Sequence, residues 1–319
     1  MKLWVIVFLL PLSAIVAACS RDEGSTPPPI GASAREVALS GSVVLIGAGD
    51  IAVCGESGDE QTAAIIDSVL RVDSVANLQN VVISIGDNAY PSGTATQFAR
   101  CFTNSWGDAH KRIMKYIRPA PGNHEYRTRG AEPYFKYFGE KAGPPGKGYY
   151  SFDFGDWHVL SLNSELVANP GRAAERREQE DWLKEDLATH QRLCTLAYFH
   201  RPLFSSGEHG NEPSMRTLWK VLYDHGVDLI INGHEHNYER FLPQTPAGVA
   251  DSVRGIEEIV VGTGGGDLRG MRRQRARNSA AAIHGYFGVI KLSLGAGEYR
   301  RAFIDTQRRI WDEGGRKCH

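Results

Sequence analysis

Five short segments of this chain carry side chains that bind cations or move protons. They are Gly49-Asp50, Gly86-Asp87-Asn88-Ala89-Tyr90, Gly122-Asn123-His124-Glu125, His200 and Gly233-His234-Glu235-His236. Singly, each is weak. An aspartate after a glycine is usually a cap or a turn former, and a single histidine is usually a satisfied polar group. Together they offer two Asp, one Tyr, one Asn and three His at candidate ligand positions. That mixture of oxygen and imidazole donors, free of thiolate, suits hard or borderline metals such as iron, manganese or zinc.

The elements that must position these residues are legible just upstream. Val43–Ile46 leads into Asp50, Val81–Ile85 into Asp87, Leu196–Phe199 into His200, Leu229–Asn232 into His234, and Ile259–Val261 into Gly262-Thr263-Gly264-Gly265-Gly266. Short, continuous, β-branched runs read as strands buried on both faces. Between them, 61–75, 178–189 and 215–225 place apolar residues at helical spacing, with Ala64, Ile65, Val69, Val72 and Val75 marking the first. Strand, polar loop, helix, repeated, is an α/β plan whose site lies at the carboxyl ends of strands. Gly155-Asp156 and Gly295-Ala296-Gly297 read as hairpin turns between flanking strands, so the sheet is expected to be mixed.

In order, the five segments resemble the five motifs of calcineurin-like metallophosphoesterases, over about Val43 to Ile304. Tyr90 narrows the resemblance to the purple acid phosphatase-like branch, in which GDxxY supplies a tyrosinate to a ferric ion. The protein serine/threonine phosphatase branch normally has arginine before its GNH motif, where this chain has Ala120-Pro121. The resemblance implies an α/β fold, a two-sheet mixed β sandwich flanked by helices. It also implies two metal ions, Fe(III) plus a divalent Fe, Zn or Mn. Asp50, Asp87, Tyr90 and His236 would bind the first; Asp87, Asn123, His200 and His234 would bind the second, with Asp87 bridging. Many relatives have a further ligand two residues after the first Asp. Asp50-Ile51-Ala52-Val53 has none, and Tyr90 takes that place, its phenolate favouring a trivalent ion.

The same resemblance makes His124 the general acid, against the alternative that it only orients its neighbours. Gly264 and Gly265 would offer backbone N–H groups to phosphate, or simply turn the chain. Arg201 and Arg127 flank motifs and would meet substrate oxygens, Tyr238, Glu239 and Arg240 would support the last motif, and His284 and Tyr286 would line the mouth. The implied activity is hydrolysis of a small phosphorylated substrate, a monoester first, with a phosphodiester or nucleotide as the alternative. A metal-stabilised surface lipoprotein that binds phosphate or a partner is the non-enzymatic alternative.

A formal net charge of -1 gives no basic excess for a nucleic-acid partner. The one basic cluster, Arg269 to Arg277, reads as a solvated loop. Residues 1–18 have the layout of a secretory signal, and Val16-Ala17-Ala18-Cys19 resembles the lipobox of bacterial lipoproteins. Cys19 is therefore expected to carry a lipid anchor, residues 19–40 to form a Pro-rich tether and 41–319 the catalytic domain, exported to the periplasm or cell envelope and held at the membrane. In that compartment disulfides persist. Cys54, Cys101, Cys194 and Cys318 allow three pairings, among which the sequence does not choose; Cys54 with Cys101 is the expected one, since both follow site loops, and Cys194 reads as a buried thiol.

Overall fold

The chain forms two β-sheets in three passes. The computed structural model describes Met1 and residues 43–319; the signal, Cys19 and the tether lie outside the described residues. The first pass lays down β1 (Val43–Ala48), β2 (Asn80–Ile85) and β3 (Ile117–Ala120), mutually parallel. The second builds a seven-stranded sheet from β4 (Tyr150–Phe154), β5 (Trp157–Ser161), β6 (Cys194–Tyr198), β7 (Leu229–Asn232), β8 (Tyr238–Phe241), β9 (Glu257–Val261) and β10 (Ser279–Ile283). The third adds β11 (Gly288–Gly295), β12 (Glu298–Asp305) and β13 (Ile310–Lys317), each antiparallel to its neighbour, with β11 antiparallel to β1, completing a six-stranded sheet. Strand order is β13-β12-β11-β1-β2-β3 in one sheet and β10-β8-β9-β7-β6-β5-β4 in the other. Both sheets are mixed, and both expected hairpins form, β4–β5 and β11–β12.

Among the described residues, seven α-helices flank the sheets: α1 (Gly58–Val75), α2 (Ala95–Arg100), α3 (Ile113–Tyr116), α4 (Glu132–Phe138), α5 (Ser164–Ala168), α6 (Ala173–Thr189) and α7 (Arg216–Asp224). In α1 the buried face runs through Thr62, Ala63, Ile65, Ile66 and Leu70. Val72 and Val75, expected on that face, are exposed, because Ala63, Ile66 and Leu70 turn the buried stripe away from them. None of these helices is long and apolar enough to cross a membrane.

Alternation along each strand divides the core. Leu196 and Tyr198 join a cluster with Leu45, Ile83 and Leu292 of the other sheet. Ala197 and Phe199 turn the opposite way, into a cluster with Leu183 of α6 and Leu218, Trp219 and Leu222 of α7. Both faces of β6 are thus apolar, as its unbroken sequence required. Each fully buried large side chain contributes roughly 1.5–3 kcal/mol.

Specific links join the sheets. Trp157 Nε1 donates to Gly295 O at 2.9 Å, and Tyr238 OH donates to Asp312 Oδ2 at 2.7 Å. Cys54 is bonded to Cys101, as expected. Cys194 is not a free thiol: it is bonded to Cys318, joining the start of β6 to the residue after β13. The strand-like run around Cys194 gave no hint of this, because its partner is 124 residues away, just past the last strand of the other sheet.

Candidate metal centre

The polar segments meet where the carboxyl ends of the parallel strands converge. Asp50 and Asp87 follow β1 and β2, Asn123 follows β3, His200 follows β6, and His234 and His236 occupy the turn between β7 and β8. Asp50, Asp87 and His234, each preceded by glycine, have positive φ angles of 62°, 50° and 71°. Such a backbone costs about 1–3 kcal/mol per residue and persists only where its surroundings enforce it. Here they do: Asp50 N donates to Gly86 O at 3.0 Å, and His234 N donates to Asp50 Oδ2 at 2.7 Å. The preceding glycines are steric necessities. A Cβ on Gly233 would lie 2.6 Å from Asp50 Oδ2, and one on Gly122 would collide with the Asp87 carboxylate.

All seven candidate ligands come together, in two groups. In the first, Tyr90 OH lies 2.9 Å from Asp50 Oδ1, 3.2 Å from Asp87 Oδ2 and 3.1 Å from His236 Nε2. In the second, His200 Nε2 lies 3.2 Å from Asp87 Oδ2, 3.1 Å from Asn123 Oδ1 and 3.2 Å from His234 Nδ1. Asp87 Oδ2 belongs to both.

Backbone carbonyls set the histidine tautomers. His200 Nδ1–H donates to Ile85 O at 2.9 Å, and His236 Nδ1–H to Asp267 O. Each Nε2 therefore turns a lone pair inward, the arrangement that metal-binding histidines adopt. In the second group, Asp87 Oδ2, Asn123 Oδ1 and His200 Nε2 then face one another as acceptors. A cation relieves that crowding, so the donor set fits a metal pair.

Burial opposes a charged His200, but the Asp87 and Asp50 carboxylates overcome it and push the imidazole up to about 10. Burial also disfavours ionised Asp87, yet His200 and His124 hold its carboxyl well below the usual range. His234 stays neutral, through burial and the nearby His200 and Arg201 charges. Burial, then Asp50 and Asp87, push the Tyr90 phenol well above its ordinary value, so ionising it needs a strong positive charge alongside. Its hydroxyl lies among the ligands and does not pack beneath the loop.

His124 stands beside this cluster. Its Nδ1 bonds Pro91 O at 2.6 Å, and its Nε2 lies 3.7 Å from Asp87 Oδ2. Arg201 reaches the edge, with Nη1 3.4 Å from His234 Nε2, but Glu165 grips the guanidinium at 2.7 and 3.2 Å. Gly264 departs from expectation. Its N–H donates to Gly49 O at 2.9 Å and Gly266 N donates to Asp50 O at 2.8 Å, so the glycine run clamps the Asp50 loop. It does not offer Gly264 N–H to phosphate. Gly265 packs against Asp59 at the start of α1, where no Cβ would fit.

Sequence reasoning missed three contributors. Glu125 is fully buried and accepts N–H bonds from Asp87 at 2.9 Å, Asn88 at 2.8 Å and Gly122 at 2.8 Å, tying two ligand loops together. His209 lies on His234 with ring centroids 4.5 Å apart. Glu235 accepts Gly210 N at 2.8 Å and faces His209 Nδ1 at 3.3 Å, holding that loop in place. Glu125 and Glu235 sat inside motifs already in view. His209 follows no strand, so the signal that found the others could not find it.

The family model for calcineurin-like phosphoesterase matches residues 45–238. Purple acid phosphatase 15 of Arabidopsis thaliana is 27% identical over 60% of this chain and 41% of its own length. Human acid phosphatase type 7 is 28% identical over 60% and 47%. An uncharacterized protein of Mycobacterium tuberculosis is 29% identical over 62% and 44%. The chain thus spans about half the length of the curated relatives it matches. Among solved structures, purple acid phosphatase PPD1 from yellow lupin seeds superposes with a TM-score of 0.70 at 21% identity, covering 86% of this chain and 54% of that one. GAP50, the anchor in the inner membrane complex of Plasmodium, gives 0.69 at 14% identity, covering 87% and 89%. At these identities the structural likeness shows the fold.

Proposed function

This chain belongs to the calcineurin-like phosphoesterase family, and from that premise we propose that it is an exported metal-dependent hydrolase of phosphate monoesters. The observation that carries the reading is the pair of four-donor groups sharing Asp87 Oδ2. Asp50, Asp87, Tyr90 and His236 would hold one ion, and Asp87, Asn123, His200 and His234 the other. Tyr90 makes Fe(III) the favoured first ion, since three anionic donors (Asp50, Asp87 and a phenolate) balance a high charge. Two such cations, when bound, clamp the phosphoryl group and activate water for in-line attack at phosphorus.

The protein's own groups handle the rest. His124 Nδ1–H is fixed on Pro91 O, which leaves Nε2 facing the site to hold the proton that the departing alcohol needs. His209, lying on His234, flanks the opening and offers an imidazole to a phosphate oxygen. Arg201 stays charged beside His234 under the hold of Glu165 and adds positive potential at the edge. A non-enzymatic surface protein would have no need to retain all seven donors together with His124.

The test is metal analysis coupled to turnover of p-nitrophenyl phosphate and bis-p-nitrophenyl phosphate, after loading with iron, manganese and zinc in turn. Two ions per chain and faster cleavage of the monoester are expected. Folded protein that turns over neither compound with any metal would sink the proposal, and faster cleavage of the diester would reassign the substrate. Export and a Cys19 anchor belong to the same proposal, supported by two disulfides that suit an oxidising compartment. Cys19→Ala should leave the membrane fraction; unchanged retention removes the anchor.

A further inference from the structure

Five arginines fall between 269 and 277, at 269, 272, 273, 275 and 277. The metal centre uses none of them, yet the fold lays their segment along its wall. Arg269 N donates to His236 O at 3.1 Å. The backbone then follows the loop that carries His209: Met271 bridges Gly207 in antiparallel register, and Arg272 N donates to Ser206 O at 2.8 Å. Ala276 N donates to Ser206 Oγ at 2.7 Å. The segment is solvated, as expected, with Arg272, Arg273, Arg275 and Arg277 exposed, but its backbone is fixed beside the site.

Arg272 has a structural task. Its Nη2 donates to Glu208 O at 2.9 Å and His209 O at 3.2 Å, clasping the neighbouring loop. The other four are different. Arg273, Arg275 and Arg277 are exposed, and Arg269 is half-buried. None of these four forms an ion pair with a carboxylate among the described residues. Arg269 Nη1 reaches His209 Nε2, at 3.5 Å. The buried carboxylates nearest the segment are already engaged: Glu235 by Gly210 N and His209, Glu239 by Ser206 and Ser279. The exposed carboxylates beside it are Glu208 and Asp267. Four guanidiniums without counter-ions, crowded into nine residues, repel one another. Planar N–H forks match phosphate oxygens closely, which gives the crowding a use.

We propose that Arg269, Arg273, Arg275 and Arg277 form a second anion subsite, which selects small substrates carrying a further phosphate beyond the one hydrolysed. This rests on the phosphoesterase reading above and names its substrate class. The phosphate to be cleaved sits at the metal centre. A second phosphate, further out past His209, meets Arg269 first and then the exposed arginines. A substrate with one phosphate leaves the subsite empty.

The experiment uses the full metal-loaded chain and two sugars that differ by one phosphate, fructose 1,6-bisphosphate and fructose 6-phosphate. The ratio of their kcat/KM values is measured in the wild type, in R273S/R275S/R277S, and in the charge-conserving R273K/R275K/R277K. The serine variant should lower the ratio at least tenfold, and the lysine variant should recover part of the loss. An unchanged ratio, or an equal fall for both sugars, overturns the subsite. Calorimetric binding of inorganic pyrophosphate against orthophosphate supplies a readout independent of turnover. Loss of the pyrophosphate preference in the serine variant supports the subsite, and a preserved preference overturns it. Absence of turnover on every ester would instead count against the phosphoesterase reading, and pyrophosphate binding would still decide the subsite.

Discussion

Two groups of histidines and carboxylates, buried except for His190, are built on opposite plans. Asp50, Asp87 and His200 bring ligand atoms within 4.8 Å of one another at the carboxyl ends of the strands. His158, Asp186 and His190 do the same near the start of β5. In this second group both ring nitrogens of His158 face carboxylates. His158 faces Asp153 through Nδ1 at 2.9 Å and Asp186 through Nε2 at 2.6 Å. Ser151 Oγ donates to Asp186 Oδ1 at 2.7 Å, and Arg192 holds Asp153 Oδ2 at 3.0 and 2.6 Å. A proton on His158 completes that network. In the candidate metal centre, backbone carbonyls take the outward N–H groups of His200 and His236, and their Nε2 lone pairs face the carboxylates. Ligand-type residues in proximity do not make a metal site; the direction of their lone pairs does.

The comparison breaks most visibly through its two central carboxylates. Asp87→Asn removes the shared oxygen charge and should lower kcat/KM on the order of 10³-fold, with loss of at least one bound ion. Metal content and turnover, measured together, check this, and retention of both ions would show that Asp87 does not bridge. Asp186→Asn should do the reverse. Removing one partner of a buried ion pair costs about 3 kcal/mol, so denaturant melts should show lower stability with metal content and turnover kept. A loss of metal from Asp186→Asn would mean that the two groups are not distinct.

Tyr90→Phe sharpens the comparison inside the metal centre. It should weaken the first ion by roughly 10–100-fold, abolish any violet colour of iron-loaded protein and leave zinc or manganese turnover measurable. A colourless, fully active wild type loaded only with divalent ions would remove the ferric assignment. Tyr90 was legible beforehand because it lies three residues after Asp87 in a recognisable motif. The strands were legible for a similar reason, since unbroken β-branched runs ending in glycine leave few alternatives. What stayed hidden depended on distant partners. Cys318 meets Cys194 from just past the last strand of the other sheet, and His209 meets His234 through a loop with no periodicity. Glu125 looked like the tail of a motif, but it is the acceptor that joins two ligand loops. The Arg269–Arg277 segment is solvent-facing, as it read, but composition reports charge and not which wall a loop follows.

The smallest and most diagnostic effect is the sign of the pH response. Burial disfavours charged His158, but Asp186 and Asp153 outweigh it and raise its pKa above 6.5. Its contribution to stability is therefore complete below about 6.5 and is lost as pH rises through the raised value. Asp186 resists burial through His158 and Ser151 and is lowered from 3.8, so its contribution is present above about 3.8 and is lost as pH falls through the lowered value. In metal-free protein, the stability difference between wild type and His158→Gln should be largest between those limits and shrink at alkaline pH. The metal centre should respond the other way, because protons compete with cations for His200, His234 and His236 and bound metal is lost as pH falls. Melting curves of metal-loaded and chelated protein across pH separate the two trends. A His158→Gln difference that grows with rising pH would show that His158 is held neutral, and that the second group is not the satisfied ion pair that sets it apart from the first.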